Sequence, residues 1–404
     1  METHFSDLRE SNEFLNLLLD NMNSAVLIAD ENLQINHFND TFLQLFSKSE
    51  ENVLVSKFGK ATSCAFSVEE EKPCGETTHC ESCVLRRAAL RTMVEKIPVD
   101  NMRMERAFYI DGKPVVKYLD ISTRHITFQG RKMILLILYD VTELETQKLE
   151  LQKRQDQIER DLKAAAGIQR SLLPQFPPAN GAVKMAWHFE PSRQIGGDIF
   201  NIHYPSDDRV DIYILDVCGH GVSAALVAVS VSQFLHSKKN LSKHHLKRRS
   251  PKKILDSLEQ AFPFEHFDTY FTLLYMTINL SQGTLTYGSA GHPPPVLLRR
   301  NGEIEVLDLH GPAIGFGNGS IFKHEEKSLQ PGDKVVLYTD GILEAQNPGG
   351  ELFGKHRFYE ALAGCAKSSA KQTTKKIYSE VKTFTEETEF DDDVSILVLK
   401  FMGN

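Results

Sequence analysis

Four aspartates beside strand-like apolar runs constrain the second half of this 404-residue chain more than any other feature. The runs 210–215, 334–339 and 394–399 are rich in β-branched and apolar residues, which predicts strands. An acid stands where each run begins or ends, and another follows two glycines. The four acids are Asp198, Asp216, Asp340 and Asp392. The pattern predicts a cluster of carboxylates built from the ends of several strands.

Clustered carboxylates indicate a site for divalent cations. Mg²⁺ and Mn²⁺ prefer oxygen ligands, and Mg²⁺ usually takes one or two carboxylates directly while it keeps several waters. Two such ions about 3.5–4 Å apart can hold a phosphate and acidify a water between them. A single Asp-Gly pair is more often an ordinary turn, but four motifs together favour the metal site. The sequence therefore predicts two-metal cleavage of a phosphoester.

The residues around two of the acids predict how each one is presented. Gly196 and Gly197 precede Asp198, at a point where the backbone must bend or approach a ligand closely. Asp216 ends the run 210–215 and is followed by a glycine-containing turn and a small-residue helix pattern. This predicts a strand, a tight turn and a helix, with Asp216 at the tip of the strand.

In order and spacing, these motifs resemble the bacterial metal-dependent protein phosphatases of the type 2C (PPM) fold, namely the sporulation and stress-regulator (SpoIIE/RsbU-type) enzymes. The resemblance covers about residues 160 to 402. Further matching segments lie at 166–174, 270–275, 289–295 and 353–358. It implies an α+β protein whose C-terminal domain, residues 176–402, is an αββα-sandwich. It also implies serine/threonine phosphatase activity on a phosphorylated anti-sigma-factor antagonist of the STAS type.

The same resemblance implies a role for each acid. Asp216 would bridge two ions, Mn²⁺ or Mg²⁺, and Asp198 would hold one of them together with the carbonyl of Val217. Asp340 and Asp392 would hold the other ion. Asp198 and Asp216 are the expected catalytic residues. The family forms no covalent phosphoenzyme, so an activated water would attack phosphorus in line with the leaving serine or threonine oxygen.

Two positions depart from the family pattern. Asn201 stands where relatives often have a second acid, which bears on outer-shell water contacts and not on a direct ligand. Three acids follow one another at 391–393, and Asp392 is the expected ligand because 392–395 aligns with the family's Asp-Asp-Ile-Thr pattern.

Three further residues near the motifs receive no catalytic role. A cysteine nucleophile would need a phosphate-cradling loop and an arginine, which the segment around Cys218 lacks. His220 and His292 could titrate near neutral pH, but histidines in glycine-rich turns are more often structural. They are therefore expected to support the site and not to react.

The first 142 residues predict a separate sensor module. Segments 21–30 and 33–39 alternate as two short strands, 41–46 follows as a helix, and 132–139 is a later strand. This opening and ending resemble a PAS domain, which would cover residues 12–142.

Four of the six cysteines fall in one short polar stretch of that module: Cys64, Cys74, Cys80 and Cys83. Their spacing suits tetrahedral Zn²⁺ or an iron–sulfur cluster, although it matches no standard zinc finger. The alternative is four unligated thiols, and disulfides are not expected in a cytosolic protein. A Cys-rich insertion of this kind implies redox, oxygen or metal sensing.

A heptad repeat predicts a helical linker at 143–175. Leu144, Leu151, Ile158, Ala165 and Leu172 recur every seven residues. This favours a coiled coil and a parallel homodimer, weakened by polar side chains at the partner positions. The alternative is an amphipathic helix packed on its own domain, which explains the second half of the repeat equally well.

Composition excludes some function classes. The net charge of −8 argues against nucleic-acid binding. The sequence has no apolar run long enough for a membrane span and no signal peptide, which predicts a cytoplasmic protein. A histidine kinase is disfavoured because no histidine occurs between Val141 and Trp187. A catalytically decayed phosphatase that acts as a binding scaffold stays as the alternative.

Overall fold

The structure is a computed structural model that describes residues 18–19, 21–128, 130–174, 181–236, 250–316 and 322–403. The chain divides into two compact units, Met1–Asp156 and Gln157–Asn404. Residues 12–17, 20 and 129 of the predicted sensor domain, residue 175 of the predicted linker and residues 176–180, 237–249 and 317–321 of the predicted phosphatase domain lie outside the described residues. The two units are taken separately below.

In the described residues of the first unit, five strands form one antiparallel sheet, and helices lie between the second and third strands in chain order. The strands are β1 (Ala25–Ala29), β2 (Ile35–Phe38), β3 (Val99–Ile110), β4 (Lys113–Phe128) and β5 (Arg131–Asp140). Their spatial order is β2-β1-β5-β4-β3. The helices are α1 (Asp40–Phe46), α2 (Glu50–Val53), α3 (Phe58–Ala61), α4 (Ala65–Glu69) and α5 (Val84–Glu95). The two early strands, the helix after them and the late strand agree with the sequence predictions.

One buried side chain explains the start of this unit. Asn39 caps α1, and its side-chain oxygen accepts hydrogen bonds from the N–H groups of Phe42 (3.2 Å) and Val26 (2.9 Å). The cap therefore joins the first helix to β1. Phe42, Phe46 and Phe108 then pack in the core between the helices and the sheet.

A single long helix, α6 (Thr142–Ser171), begins in the first unit and ends in the second. Leu144, Leu151 and Ile158, the first three positions of the heptad, are 63%, 59% and 59% exposed. Leu172, the last predicted position, lies beyond the helix end and packs against the core of the second unit. The apolar stripe available to a partner helix is therefore confined to the earlier heptads.

In the described residues of the second unit, ten strands form two antiparallel sheets. They are β6 (Val183–Glu190), β7 (Ile199–Ser206), β8 (Arg209–Val217), β9 (Phe271–Asn279), β10 (Thr284–Ala290), β11 (Val296–Leu298), β12 (Ile304–Val306), β13 (Glu325–Ser328), β14 (Lys334–Tyr338) and β15 (Val394–Phe401). One sheet has the order β13-β10-β9-β8-β7 and the other β12-β11-β14-β15-β6.

Helices cover the outer faces of both sheets. They are α7 (Val222–His236), α8 (Pro251–Ala261), α9 (Phe264–Phe267), α10 (Gly354–Ala363) and α11 (Ala370–Phe384), with a short 3₁₀ turn at Asp340–Ile342. Helices α7 and α8 pack on the first sheet, and α11 packs on β6 and β15. Side chains such as Ile212 and Leu397 share one core between the sheets. The layers are therefore helix, sheet, sheet and helix, the arrangement that the resemblance implies.

Alternation along the strands explains this layering. In β15, Leu397 and Leu399 face the core between the sheets, while Ile396 and Val398 face the helices. Both faces of the strand are buried, which agrees with its continuous apolar sequence. Among the helices in the described part of the chain, none combines the length and apolar character that a membrane-spanning segment needs.

Candidate active site

The four predicted aspartates meet at one edge of the second unit. Asp198 directly precedes β7, and Asp216 is the second-to-last residue of β8. Asp340 opens the 3₁₀ turn after β14, and Asp392 lies just before β15. Burial and then the negative charges of Asp340 and Asp392 raise the pKa of Asp216, and the charge of Asp216 in turn raises the pKa of Asp198. The structure thus brings all four acids together.

Asp198 is the most tightly held of the four. It is 1% exposed, and its Oδ2 accepts hydrogen bonds from the hydroxyls of Thr339 (2.8 Å) and Ser395 (2.6 Å). Its Oδ1 is buried and finds no donor among the described residues. Burial, followed by the charges of Asp216 and Asp393, raises its pKa well above the usual value. A buried carboxylate oxygen that lacks a donor suits a cation.

Asp216 lies in the middle of the acidic cluster. Burial contributes most to its raised pKa, and the charges of Asp340 and Asp392 add to it. Four carboxylates in this environment repel one another unless positive charge is present. An all-oxygen donor set of this kind fits Mg²⁺ or Mn²⁺ and does not fit a thiophilic metal.

The described side chains of the cluster do not form a preassembled metal-ligand group. Among the residues that the structure describes, no group of three or more His, Cys, Asp or Glu side chains is placed so that it could hold a metal ion as it stands. Asp340 and Asp392 are half-buried, whereas Asp198 is fully buried.

The predicted carbonyl ligand also lies at the site. A Cβ atom on Gly197 would come within 2.8 Å of the carbonyl oxygen of Val217. Glycine at 197 therefore lets the loop before Asp198 lie directly against the end of β8. This close approach places the Val217 carbonyl beside the loop that carries Asp198.

Sequence reasoning did not assign a role to Asp393, yet this residue organises the site. It is 4% exposed, and its carboxylate accepts hydrogen bonds from the N–H groups of Ser192 (2.8 Å), Gly197 (2.6 Å) and Asp198 (3.2 Å). The neighbouring Asp391 is exposed. The run of three acids was the only signal in the sequence, and it does not distinguish their roles.

Gln169 is a second residue whose role the sequence did not reveal. It lies in the last turn of α6 and is 2% exposed. Its side-chain amide donates to the carbonyl of Gly196 at 2.7 Å and, more weakly, to that of Asp198 at 3.4 Å. The residue belongs to a segment that matches the family, but a glutamine in a polar helix gives no sign that it is buried.

His292 is a buried structural residue. Its Nδ1 is 2.8 Å from the hydroxyl of Thr272, and burial lowers its pKa to about 3. The ring is therefore neutral at pH 7 and cannot serve there as a proton donor of ordinary strength.

Three other residues that the sequence analysis discussed, His220, Cys218 and Asn201, lie near the cluster, and each makes different contacts. His220 is exposed and lies close enough to Asp392 to lower the pKa of that carboxyl, against the larger raising effect of its burial. Cys218 is exposed and lies beside the hydroxyl of Tyr270. The side-chain amide of Asn201 donates to the carbonyl of Leu172 at 2.5 Å, so it holds the chain after α6 instead of facing the acids.

The four clustered cysteines lie in the first unit and line one cavity of about 60 Å³. All four are free thiols. Cys74 Sγ and Cys64 Cβ are 2.9 and 3.7 Å from the same point, the position of a Cβ on Gly59. Cys80 Sγ accepts from the N–H of Gly75 at 3.1 Å, and Cys83 is the N-terminal cap residue of α5. The fold therefore gathers the cysteines at one cavity without enclosing a cation as they stand.

The fold and the acidic cluster of the second unit define a class, the PP2C-type protein phosphatase domain, which has an α+β fold with antiparallel sheets and depends on metal ions. Residues 206–402 match the family described as Stage II sporulation protein E (SpoIIE). The match covers most of the second unit and just under half of the whole chain, so the second unit is similar to SpoIIE-family phosphatase domains.

Individual relatives agree with this class. The chain is 26% identical over 250 residues to phosphoserine phosphatase RsbU of Bacillus subtilis, covering 61% of this chain and 71% of RsbU. It is 27% identical over 190 residues to phosphoserine phosphatase RsbP of the same organism, covering 46% and 45% of the two chains. It is 29% identical over 224 residues to protein IcfG of Synechocystis sp., covering 50% of this chain and 35% of IcfG. The chain therefore spans about a third of IcfG and under half of RsbP.

A solved structure is similar to the second unit. The SiaA-PP2C domain of Pseudomonas aeruginosa superposes with a TM-score of 0.54 and 25% sequence identity, covering 61% of this chain and 98% of that domain. The similarity extends over the length of that domain, which supports the PP2C fold beyond the residues of the family match.

Proposed function

We propose that this chain is a sensor-controlled, metal-dependent protein serine/threonine phosphatase. The observation that carries the proposal is the clustering of Asp198, Asp340 and Asp392 at Asp216, together with a buried Asp198 oxygen that has no donor among the described residues. The acids come from the ends of both sheets, so the fold itself assembles them. The family match and the RsbU and RsbP relatives, both phosphoserine phosphatases by name, support the same activity.

Different residues of the cluster are proposed to bind each of the two cations. Asp198 and the Val217 carbonyl would hold one ion, Asp340 and Asp392 the other, and Asp216 both. Bound there, two Mg²⁺ or Mn²⁺ ions would supply an activated water and offset the charge of the phosphate. Thr339 and Ser395 hold Asp198 Oδ2, so that its Oδ1 keeps one orientation. The phosphoester would then be hydrolysed to phosphate and a free serine or threonine hydroxyl, whose oxygen takes up a proton as the P–O bond breaks.

The test is phosphate release from a phosphoserine protein by the intact chain, measured with and without Mn²⁺ and compared with Asp216→Asn. Metal-dependent release that the substitution abolishes supports the proposal. If no cation produces turnover although the chain still binds the phosphoprotein, the catalytically decayed scaffold becomes the better description.

The substrate follows from the family resemblance. We propose a phosphorylated anti-sigma-factor antagonist of the STAS type, because the sporulation and stress-regulator phosphatases act on such proteins. The chain should dephosphorylate such an antagonist with a higher kcat/KM than an unrelated phosphoserine protein of similar size. Equal values for both would argue against this substrate class.

The first unit is proposed to be a PAS-type sensor within residues 12–142. Its five-stranded antiparallel sheet carries helices between β2 and β3 and encloses a small cavity. Apolar side chains from both the sheet and the helices line that cavity, together with the four cysteines and a few polar residues such as His79 and Arg106. A ligand or oxidant that acts on this cavity is the proposed signal.

The cysteines are proposed to be the sensing residues of that cavity. If they bind Zn²⁺ or an iron–sulfur cluster, the purified intact chain should contain about one equivalent of metal, with inorganic sulfide in the second case. Replacing Cys74 and Cys80 with Ser should remove that metal, whereas Cys218→Ser should not. Metal-free protein with fully reactive thiols, prepared without chelators or oxygen, would show that the cysteines are unligated.

The exposed heptad residues of α6 are proposed to form a parallel dimer. Leu151→Glu should shift the chain from dimer to monomer in light scattering after size exclusion, because it places a charge in the apolar seam. Gln152→Glu introduces the same charge at the next, also exposed, position and should leave the dimer intact. A wild-type chain that is monomeric at all accessible concentrations would contradict the dimer.

A further inference from the structure

We propose that Asp393 is a positioning residue that locks the metal-holding loop 194–198 to the start of β15. On this view, the affinity of the site for cations depends on a carboxylate that does not itself bind them. The inference rests on the proposed function because it concerns the same metal site. It assigns different tasks to two adjacent acids, Asp392 as a ligand and Asp393 as the residue that holds the opposite loop.

The hydrogen bonds that the Asp393 carboxylate accepts all come from residues 192–198. One carboxylate oxygen, Oδ2, accepts from the N–H groups of Gly197 and Asp198 at 2.6 and 3.2 Å. The other, Oδ1, accepts from the N–H and the hydroxyl of Ser192 at 2.8 and 3.2 Å. Both oxygens are thus engaged at 4% exposure. A carboxylate used in this way holds the backbone on both sides of the loop.

The backbone around Asp393 is packed as closely as its side chain. A Cβ on Gly196 would lie 2.1 Å from Asp393 Oδ2. A Cβ on Gly341, the residue after Asp340, would lie 2.1 Å from the Asp393 carbonyl oxygen. Glycine is therefore required on both sides by direct contact. Asp393 lies where the segments that carry Asp198, Asp340 and Asp392 meet.

The chemistry of these contacts requires an acid. All four partners of Asp393 are donors, and a carboxylate offers acceptors on both oxygens. Asparagine would keep one acceptor oxygen, but its NH₂ group would face N–H or O–H donors that need an acceptor. The loop 194–198 would then lose hydrogen bonds that fix its backbone, and Asp198 would no longer be held in one position for binding a cation. Outer-shell partners of metal ligands typically contribute about 10- to 100-fold in metal affinity or activity.

The experiment compares Asp391→Asn, Asp392→Asn and Asp393→Asn in the intact chain. Mn²⁺ binding is measured by isothermal titration calorimetry, and turnover is measured as a function of Mn²⁺ concentration. Asp393→Asn is expected to weaken Mn²⁺ binding by about 10- to 100-fold, with kcat recovering at saturating Mn²⁺. Asp392→Asn should lose kcat that excess Mn²⁺ does not restore. Asp391→Asn, at an exposed position, should match the wild type.

A second variant perturbs the same contact from the other side. Gly196→Ala keeps every donor and acceptor but places a methyl group against Asp393 Oδ2, so it should weaken Mn²⁺ binding in the same way. Thermal melting without metal separates this effect from unfolding.

Each outcome decides the inference. Wild-type Mn²⁺ affinity in folded Asp393→Asn would overturn it, and so would a loss of kcat like that of Asp392→Asn, which would make Asp393 a ligand. If the wild type binds Mn²⁺ but turns over no phosphoester, the proposed function fails while the calorimetry still tests Asp393.

Discussion

Replacing Asp216 with Asn is expected to lower kcat by at least about 10³-fold, the largest effect of any single substitution in the chain. Asp216 is the acid that the other three surround, and its carboxylate is the group proposed to contact both cations. Asn has one oxygen and no charge, so it cannot replace a bridging carboxylate. Excess Mn²⁺ should therefore not restore the rate.

Although Asp216→Asn should lower kcat, it should not lower the stability of the metal-free protein. Burial and neighbouring charges raise the pKa of Asp216 in the folded state, so its ionised form opposes folding when no cation is present. At pH 7 without metal, the variant should melt no lower than the wild type. A low melting temperature would mean that lost activity reflects unfolding.

The control for this experiment is Asp391→Asn, which removes an exposed carboxylate close to the site in sequence. It should retain the wild-type rate and the same dependence on Mn²⁺. Full activity in well-folded Asp216→Asn would refute the two-metal assignment and would require another source of the nucleophile.

Replacing Gln169 with Leu is expected to lower Mn²⁺-dependent turnover by about 10- to 100-fold. Leu has a similar size but cannot donate to the carbonyl of Gly196, which Gln169 contacts at 2.7 Å. That buried carbonyl would lose its partner, and the loop that carries Asp198 would lose its support from α6. The effect should be measured as both kcat and the Mn²⁺ concentration for half-maximal activity.

Ile168→Ala is the matched control, because Ile168 is the preceding residue of the same helix and is 64% exposed. It should leave both values unchanged. An unchanged rate in folded Gln169→Leu would show that the contact does not support the metal loop. A reduced rate would identify the last turn of α6 as the place where movement of the helix could reach the site.

The family resemblance and the local motifs predicted much of the catalytic unit. Apolar runs that end in Asp or Asp-Gly give strand ends that carry acids, because strand alternation and glycine turns are properties of neighbouring residues. The four acids do converge, and the helix, sheet, sheet and helix layers agree with the resemblance. The early strands of the first unit were also readable from their alternation. The heptad repeat predicted α6 but placed Leu172 in the seam, whereas the helix ends at Ser171.

Only the tertiary structure decided which polar side chains support the acids. The contact of Asp393 with Ser192 joins residues 201 positions apart, and that of Gln169 with Gly196 joins residues 27 apart. Residue type does not distinguish Asp393 from Asp391, yet Asp393 is buried with both carboxylate oxygens accepting hydrogen bonds and Asp391 is exposed. The sequence by itself determined which strands end in acids. Which acids face a cation and which hold the backbone depends on how the two sheets pack, because distant donors meet a carboxylate only after that packing is complete.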